Sequence, residues 1–297
     1  MVPLDRPATM TAPSSKPLLL LGADGMLGRA FVELFQAQQR AFEALTLPRF
    51  DLTNTDSIRD TISTRFAAAI NCAAFTDVDA AESNQALATQ INATGIGQLA
   101  INCRLASIPL VHFSTDYVFD GNGRVPYPPS PPPTNSRPVN IYGQSKLRGE
   151  ELIREVSDDH LIIRTSWLYA PWGKNFVRTI AAAARTKPEL KVVNDQRGRP
   201  TSAQHLATST LALLDRRSRG IYHLTDSGDC TWFDFAKEIV RLTGAHCKVT
   251  PCTSADFPRP AKRPAYSVLD IAKSEHELGP MPPWQSNLAQ VIALLET

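Results

Sequence analysis

The 297-residue sequence predicts an α/β protein: a doubly wound parallel sheet of the Rossmann type with a smaller C-terminal lobe. Three observations predict it. Short apolar runs alternate with longer amphipathic ones from residue 17 onward, a glycine-rich turn follows the first apolar run, and the alternation loosens beyond about residue 220. Strand, helix, strand in repetition is the pattern of parallel strands joined by helical crossovers, with both sheet faces covered.

The apolar runs are "LLLLG" at 18–22, "FEALTL" at 42–47, "AAAINCAA" at 67–74, "LVHFST" at 110–115 and "HLIIRTS" at 160–166. Between and after them, helical patterns cover 26–39, 55–65, a long stretch at 83–105, and 140–156. The segment "VPYPPSPPPTNSRP" at 125–138 carries seven prolines, which fit neither a helix interior nor a central strand, so it is a loop. Later come "GIYHLT" at 220–225, a helical pattern over 231–243 and the proline-rich "RPAKRPAYSVLD" at 259–270. The expected organisation is a disordered leader over 1–16, a dinucleotide-binding domain over 17–170 and 189–219, and a substrate-binding lobe over 171–188 and 220–297. Met10 offers a second candidate start within the leader.

Composition narrows the partners. With 43% hydrophobic residues and 31 basic against 29 acidic side chains, the chain has a formal charge of +2, too weak a field to indicate nucleic acid or an anionic membrane. A small ligand is the expectation. "PLLLLG" at 17–22 falls far short of the ~18 apolar residues of a membrane span, and no charged region with a cleavage site precedes it, so a cytoplasmic protein is expected. The five cysteines are scattered and odd in number, which suits reduced thiols and neither a disulfide framework nor a zinc site. The six histidines show no HxxH or HExxH spacing, and no metal is expected.

"GADGMLG" at 22–28 follows the first strand and opens a helix. Gly22, Gly25 and Gly28 form GxxGxxG, which permits a tight turn, close approach to a pyrophosphate and helix N-terminal amides facing its charge. Asp24, Met26 and Leu27 complete that cofactor turn. After the second strand, Arg49 is the nearest charged residue, where an arginine accommodates the 2′-phosphate of NADP and an acid would grip the 2′-hydroxyl of NAD. NADPH is therefore the preferred cofactor and NADH the alternative; a solvated loop charge is the competing reading of Arg49. Asp51 and Leu52 lie where an adenine would be contacted. At the end of the fourth strand, Thr115 faces the same crevice, since reactive groups of open α/β sheets gather at strand carboxyl ends. Tyr142 and Lys146, four apart, share one helix face, and a cation beside a phenol lowers its affinity for its proton. The phenol becomes a usable acid or base.

This set resembles the extended short-chain dehydrogenase/reductase superfamily and, more narrowly, the dTDP-4-dehydrorhamnose reductase family. The narrower resemblance rests on "NCAAFTDVDAAE" (71–82), "QINATG" (90–95), "STDYVFDG" (114–121), "IYGQSKLRGE" (141–150), "RTSWLYAPWGKNF" (164–176), "NDQRGRPTS" (194–202), "GIYHLT" and "TWFDFA" (231–236). It covers nearly the whole chain after residue 17. It implies that Tyr142 donates a proton to the C4 oxygen of a sugar as hydride arrives from the nicotinamide, that Lys146 holds the nicotinamide ribose, and that Thr115 hydrogen-bonds the carbonyl. Asp116 and Trp167 match positions lining the sugar pocket, with core packing as the alternative for Trp167. Asn71, Ala73 and Ala74 match a segment passing the cofactor's phosphates and ribose, and Asn92 a residue fixing backbone near the site. Asn175 and Phe176 would face the substrate; Arg199 and Thr201 would be nucleotide-side contacts.

Some departures border the substrate side: "APWGKNF" where relatives usually carry glycine, prolines where they place acids, and no basic side chain between the proline and the serine of "RPAYSVLD". The implied activity is NADPH-dependent reduction of dTDP-4-dehydro-L-rhamnose to dTDP-L-rhamnose, with a nucleotide-sugar substrate as partner and a homodimer as candidate assembly. The alternatives are another nucleotide-sugar 4-ketoreductase, an epimerase or dehydratase with tightly held NAD, or a non-catalytic regulatory subunit resembling that of methionine adenosyltransferase.

Overall fold

The computed structural model describes residues 16–129 and 137–295; most of the expected leader and the middle of the proline-rich loop lie outside the described residues. Six parallel strands form the central sheet: β1 (Leu18–Leu21), β2 (Phe42–Leu45), β3 (Ala69–Asn71), β4 (Leu110–Thr115), β5 (His160–Thr165) and β6 (Gly220–His223). Their spatial order is β6-β5-β4-β3-β1-β2. Both faces are buried, which is why β1 reads as an unbroken leucine run. Leu18 and Leu20 pack with Phe31, Phe35 and Leu206 on one face, while Leu19 and Leu21 pack with Ile96, Leu99 and Ile153 on the other, as the two-residue period requires. The chain leaves β1 for β2 on one side and returns to place β3 on the other. That reversal opens a crevice at the carboxyl ends of β1 and β3.

Two short segments exchange places relative to the sequence reading. Gly220–His223, assigned to the lobe, is the sixth sheet strand and pairs in parallel with Leu161–Arg164. Glu189–Val193, assigned to the dinucleotide domain, pairs with Lys248–Cys252 in a separate two-stranded ribbon. A four- or five-residue apolar run carries the same pattern in either setting, so only the strand partner distinguishes them. A separate core cluster gathers Tyr169, from the segment assigned to the dinucleotide domain, with Val177, Phe235, Trp284 and Leu288.

The long helical stretch expected over 83–105 is broken. Val78–Ser83 and Gln85–Thr89 precede a π-helical turn at Gln90–Thr94, and Gly95–Leu105 resumes the α-helix. Wide turns of this kind interrupt helices at functional positions. Here the turn delivers Asn92, whose amide bonds both the N–H and the C=O of Phe75 at 2.9 Å. No helix among the described residues is long and apolar enough to cross a membrane.

Candidate active site

After β1 the chain turns through Gly22 at φ +76°. A Cβ there would lie 2.6 Å from the Ala73 nitrogen, and one on Gly28 would lie 2.1 Å from the Gly22 oxygen. The turn is thus packed backbone to backbone against the segment leaving β3, a fit only glycine permits. Gly25 caps the helix Met26–Ala37 without a side-chain hydrogen bond, so the first-turn amides are left for an anion. Asp24 is exposed and Leu27 is buried in the core. The Met26 carbonyl accepts from Trp172 Nε1 at 3.0 Å, which ties the turn to the loop after β5.

Arg49 is exposed and lies 3.9 Å from Glu43, whose other oxygen takes Arg65 at 2.7 Å. Asp51 is engaged locally: Oδ1 accepts from the Thr53 N–H and hydroxyl, both at 2.8 Å. Leu52 departs from expectation, for its side chain packs into the second core layer with Ile58 and Ile96 and is spent there rather than presented to an adenine.

The helix Ile141–Val156 carries Tyr142 and Lys146. It starts where it does because the Asn140 side chain accepts from the Gly143 N–H at 2.8 Å, while Glu82 accepts from the Ile141 N–H at 2.9 Å. A Cβ on Gly143 would strike the Tyr117 carbonyl at 2.2 Å, so this glycine lets the first turn press against the loop following Thr115. Asn92 Nδ2 donates to Ser145 Oγ at 3.1 Å, joining the π turn to the same helix. Thr115, at the end of β4, donates to Asp116 Oδ1 at 3.0 Å and accepts from the Tyr117 N–H at 3.2 Å.

The electrostatics differ from the sequence reading in one respect. Burial pushes the Tyr142 phenol up to about 12, aided by the Asp116 charge and opposed by the Thr115 hydroxyl. The expected lowering by Lys146 does not appear, because the ammonium is turned into the sheet: Nζ donates to the Phe113 carbonyl at 2.7 Å and stands 3.2 Å from His112 Nε2. Burial lowers Lys146 to about 8, against the raising effect of Glu150. His112 in turn contacts Asn71 Nδ2 at 3.2 Å, and Asn71 bonds both main-chain groups of Ala73 at 3.2 Å. Sequence reasoning missed His112; its one signal was an imidazole inside the apolar run "LVHFST". It also missed Glu150 and Arg164, a fully buried pair at 2.6 Å that fastens this helix to β5.

On the substrate side, Asp116 is buried and its carboxyl is pushed up to about 7 by that burial, opposed by the Ser267 and Thr115 hydroxyls. Trp167 holds a left-handed φ of +47°, costly for an aromatic residue, and stacks on Trp232 at 3.6 Å. Asn175 spends its amide on backbone, accepting from the Arg178 N–H at 3.1 Å and donating to the Ala170 carbonyl at 2.8 Å. It caps the helix Phe176–Ala184 rather than offering free polar atoms to a substrate. A cavity of about 560 Å³ lined by Lys16, Arg40, Asp215 and Arg217 opens at the amino ends of the strands, opposite this chemistry.

A doubly wound parallel sheet with a glycine turn after β1, and a threonine, tyrosine and lysine gathered beyond β4, defines a Rossmann-fold protein of the short-chain dehydrogenase/reductase class. Comparison with known proteins narrows this. The family model described as "RmlD substrate binding domain" matches residues 16–297. A dTDP-4-dehydrorhamnose reductase of Streptomyces griseus is 39% identical over 281 residues, covering 92% of this chain and 91% of its own. One of Mycobacterium tuberculosis is 37% identical over 284 residues, covering 94% and 93%. Among solved structures, the dTDP-4-dehydrorhamnose reductase of Bacillus anthracis in complex with NADP superimposes with a TM-score of 0.90 at 33% identity, over 96% of this chain and 100% of that one. The Clostridium acetobutylicum reductase gives a TM-score of 0.88 at 38% identity, over 95% and 100%. The chain belongs to the dTDP-4-dehydrorhamnose reductase family.

Proposed function

We propose that the protein reduces the C4 ketone of dTDP-4-dehydro-L-rhamnose to the hydroxyl of dTDP-L-rhamnose, with NADPH preferred and NADH as the alternative. One observation carries the reading: the Tyr142 phenol meets the Thr115 hydroxyl at the carboxyl end of β4, with Lys146 one turn along the same helix, beside a glycine turn closed too tightly for any side chain. The reductase names of the relatives and the NADP complex of the Bacillus anthracis protein support it.

The residues fit a dinucleotide. Gly22, Gly25 and Gly28 would hold its phosphates on the uncapped helix N-terminus, Asn71, Ala73 and Ala74 would flank it, and the exposed Arg49, 3.9 Å from Glu43, would meet a 2′-phosphate. When bound, the nicotinamide supplies the hydride that reduces the C4 carbon. Tyr142 donates its proton to the C4 oxygen. A phenol at about 12 lies well below the ~15.7 of water, so an alkoxide takes the proton downhill and no lowering of the tyrosine is needed. The Thr115 hydroxyl bonds the same oxygen, and a donor aimed at developing negative charge contributes about 3 kcal/mol. Lys146, at about 8, remains largely charged at neutral pH and would hold the nicotinamide ribose. Asp116 and Trp167 would line the sugar pocket.

The test is to follow NADPH and NADH absorbance with freshly generated 4-keto-6-deoxy sugar nucleotide. Rapid substrate-dependent oxidation, faster with NADPH, is expected. Absence of oxidation, with NAD retained through purification and the sugar isomerised without added reductant, would establish the epimerase alternative instead.

A further inference from the structure

Seven buried side-chain nitrogen or oxygen atoms lack a hydrogen-bond partner among the described residues, and five of them belong to Ser114, Asp116, Thr165, Arg199 and Thr201. Asp116, Thr165, Arg199 and Thr201 lie at or beside the carboxyl ends of β4 and β5, whereas Ser114, one residue out of step with Thr115, projects to the opposite sheet face. Ser114 and Thr115 face Arg164 and Thr165 across β4 and β5, Ser166 Oγ donates to the Arg199 carbonyl at 2.7 Å, and the Thr201 N–H donates to the Trp167 carbonyl at 3.2 Å. Buried polar groups are normally paired, so a cluster of unpaired ones at strand carboxyl ends marks where a polar ligand binds.

Arg199 is the informative member, because a guanidinium cannot shed its charge. Other arginines nearby are matched: Arg164 with Glu150, Arg197 with Asp229, Arg263 with Asp79. Arg199 has a buried Nε without an acceptor, and no carboxylate among the described residues pairs with it. Burial opposes its charge, with only Asp229, Glu275, Tyr266 and Asp270 acting on it from a distance; Asp229 already serves Arg197. Its main chain is pinned by Ser166 on one side and, past Pro200, by pairing of Thr201–Ser202 with Leu168–Tyr169 on the other. A half-buried guanidinium on a pinned main chain, its Nε buried without an acceptor, suits phosphate oxygens, which its fork engages in pairs.

The sheet order decides whose phosphate it is. β4 and β3 stand between β5, where Arg199 is tethered, and β1, where the glycine turn receives a cofactor. We propose that Arg199 anchors the diphosphate of the nucleotide-sugar substrate. This inference rests on the nucleotide-sugar reading above and adds to it a residue that fixes where the nucleotide ends and the reacting sugar begins.

The test is calorimetric titration of the full chain, saturated with NADP, with dTDP and separately with thymidine. The wild type is compared with Arg199→Met and Arg199→Lys. Removing a charge-assisted hydrogen-bond donor predicts dTDP binding weakened roughly tenfold to a hundredfold in Arg199→Met, partly restored in Arg199→Lys, with thymidine and NADP affinities within about twofold of wild type. Equal dTDP affinity in wild type and Arg199→Met would overturn the inference while leaving the reductase reading intact. Parallel loss of thymidine binding, or a loss confined to NADP, would overturn it too, by assigning Arg199 to packing or to the cofactor. A wild type that binds no dTDP would instead remove the nucleotide-sugar reading on which the inference stands.

Discussion

On the β1–β3 flank of the crevice, polar groups are paired within the protein. Asn71 closes on Ala73, Asn92 on Phe75 and Asp51 on Thr53, and the glycine turn offers backbone amides. On the β4–β5 flank, Asp116 Oδ2, Thr165, Arg199 and Thr201 are buried without partners. One flank is completed by its own chain and the other is shaped to be completed by what it binds. Substitutions of the paired groups should therefore act through geometry and stability, and of the unpaired ones through ligand affinity with little loss of fold.

The sharpest way to break this comparison uses the paired arginine. Arg164→Met strands the buried Glu150 carboxylate and should cost about 3–5 kcal/mol, read as a fall in the urea midpoint; a loss under about 1 kcal/mol would show that the pair is not what fastens the site helix. Next in size, Gly28→Ala drives a Cβ into the Gly22 carbonyl, and a displacement of about 1 Å should weaken NADPH binding and lower kcat/KM about a hundredfold while dTDP affinity stays within about twofold. Unchanged NADPH binding would place the cofactor elsewhere.

Asp116 supplies a pH dependence. Its carboxyl moves from 3.8 to about 7 on folding, so between those values the folded state holds more protons than the unfolded, and stability falls as pH rises. Asp116→Asn should remove that slope, leaving denaturation midpoints flatter than wild type from about pH 4 to about pH 7; parallel slopes would contradict the burial argument. The smallest effect is expected at Thr201→Val. Replacing an unpaired buried hydroxyl with a methyl should leave stability unchanged or raise it by up to about 1 kcal/mol, and a clear destabilisation would mean that the hydroxyl is paired after all.

Much of the fold could be read before the structure. The alternating pattern placed β1 to β5 and the crossover helices because a strand buried on both faces must be apolar throughout, as Leu18–Leu21 is. The Tyr142 and Lys146 spacing needed only helical geometry, and the glycine turn only backbone sterics. What escaped reading depends on contacts between distant segments. His112 meets Lys146 only when β4 lies beneath the site helix, β6 is recognised by its neighbour β5, and the capping role of Asn175 appears only once the loop after Trp172 folds over it. The direction of the Tyr142 shift was misjudged for the same reason. A lysine one turn away on paper is drawn toward Phe113 and His112 by the sheet, leaving burial to dominate the phenol.

The central claim is that the Tyr142 hydroxyl protonates the ketone oxygen while other residues hold cofactor and sugar. Tyr142→Phe removes that hydroxyl alone, and single-turnover NADPH oxidation with the 4-keto sugar nucleotide, measured beside NADPH binding, tests it directly. The account predicts oxidation slowed roughly a hundredfold to ten-thousandfold with NADPH affinity essentially unchanged. Turnover close to that of wild type would contradict it.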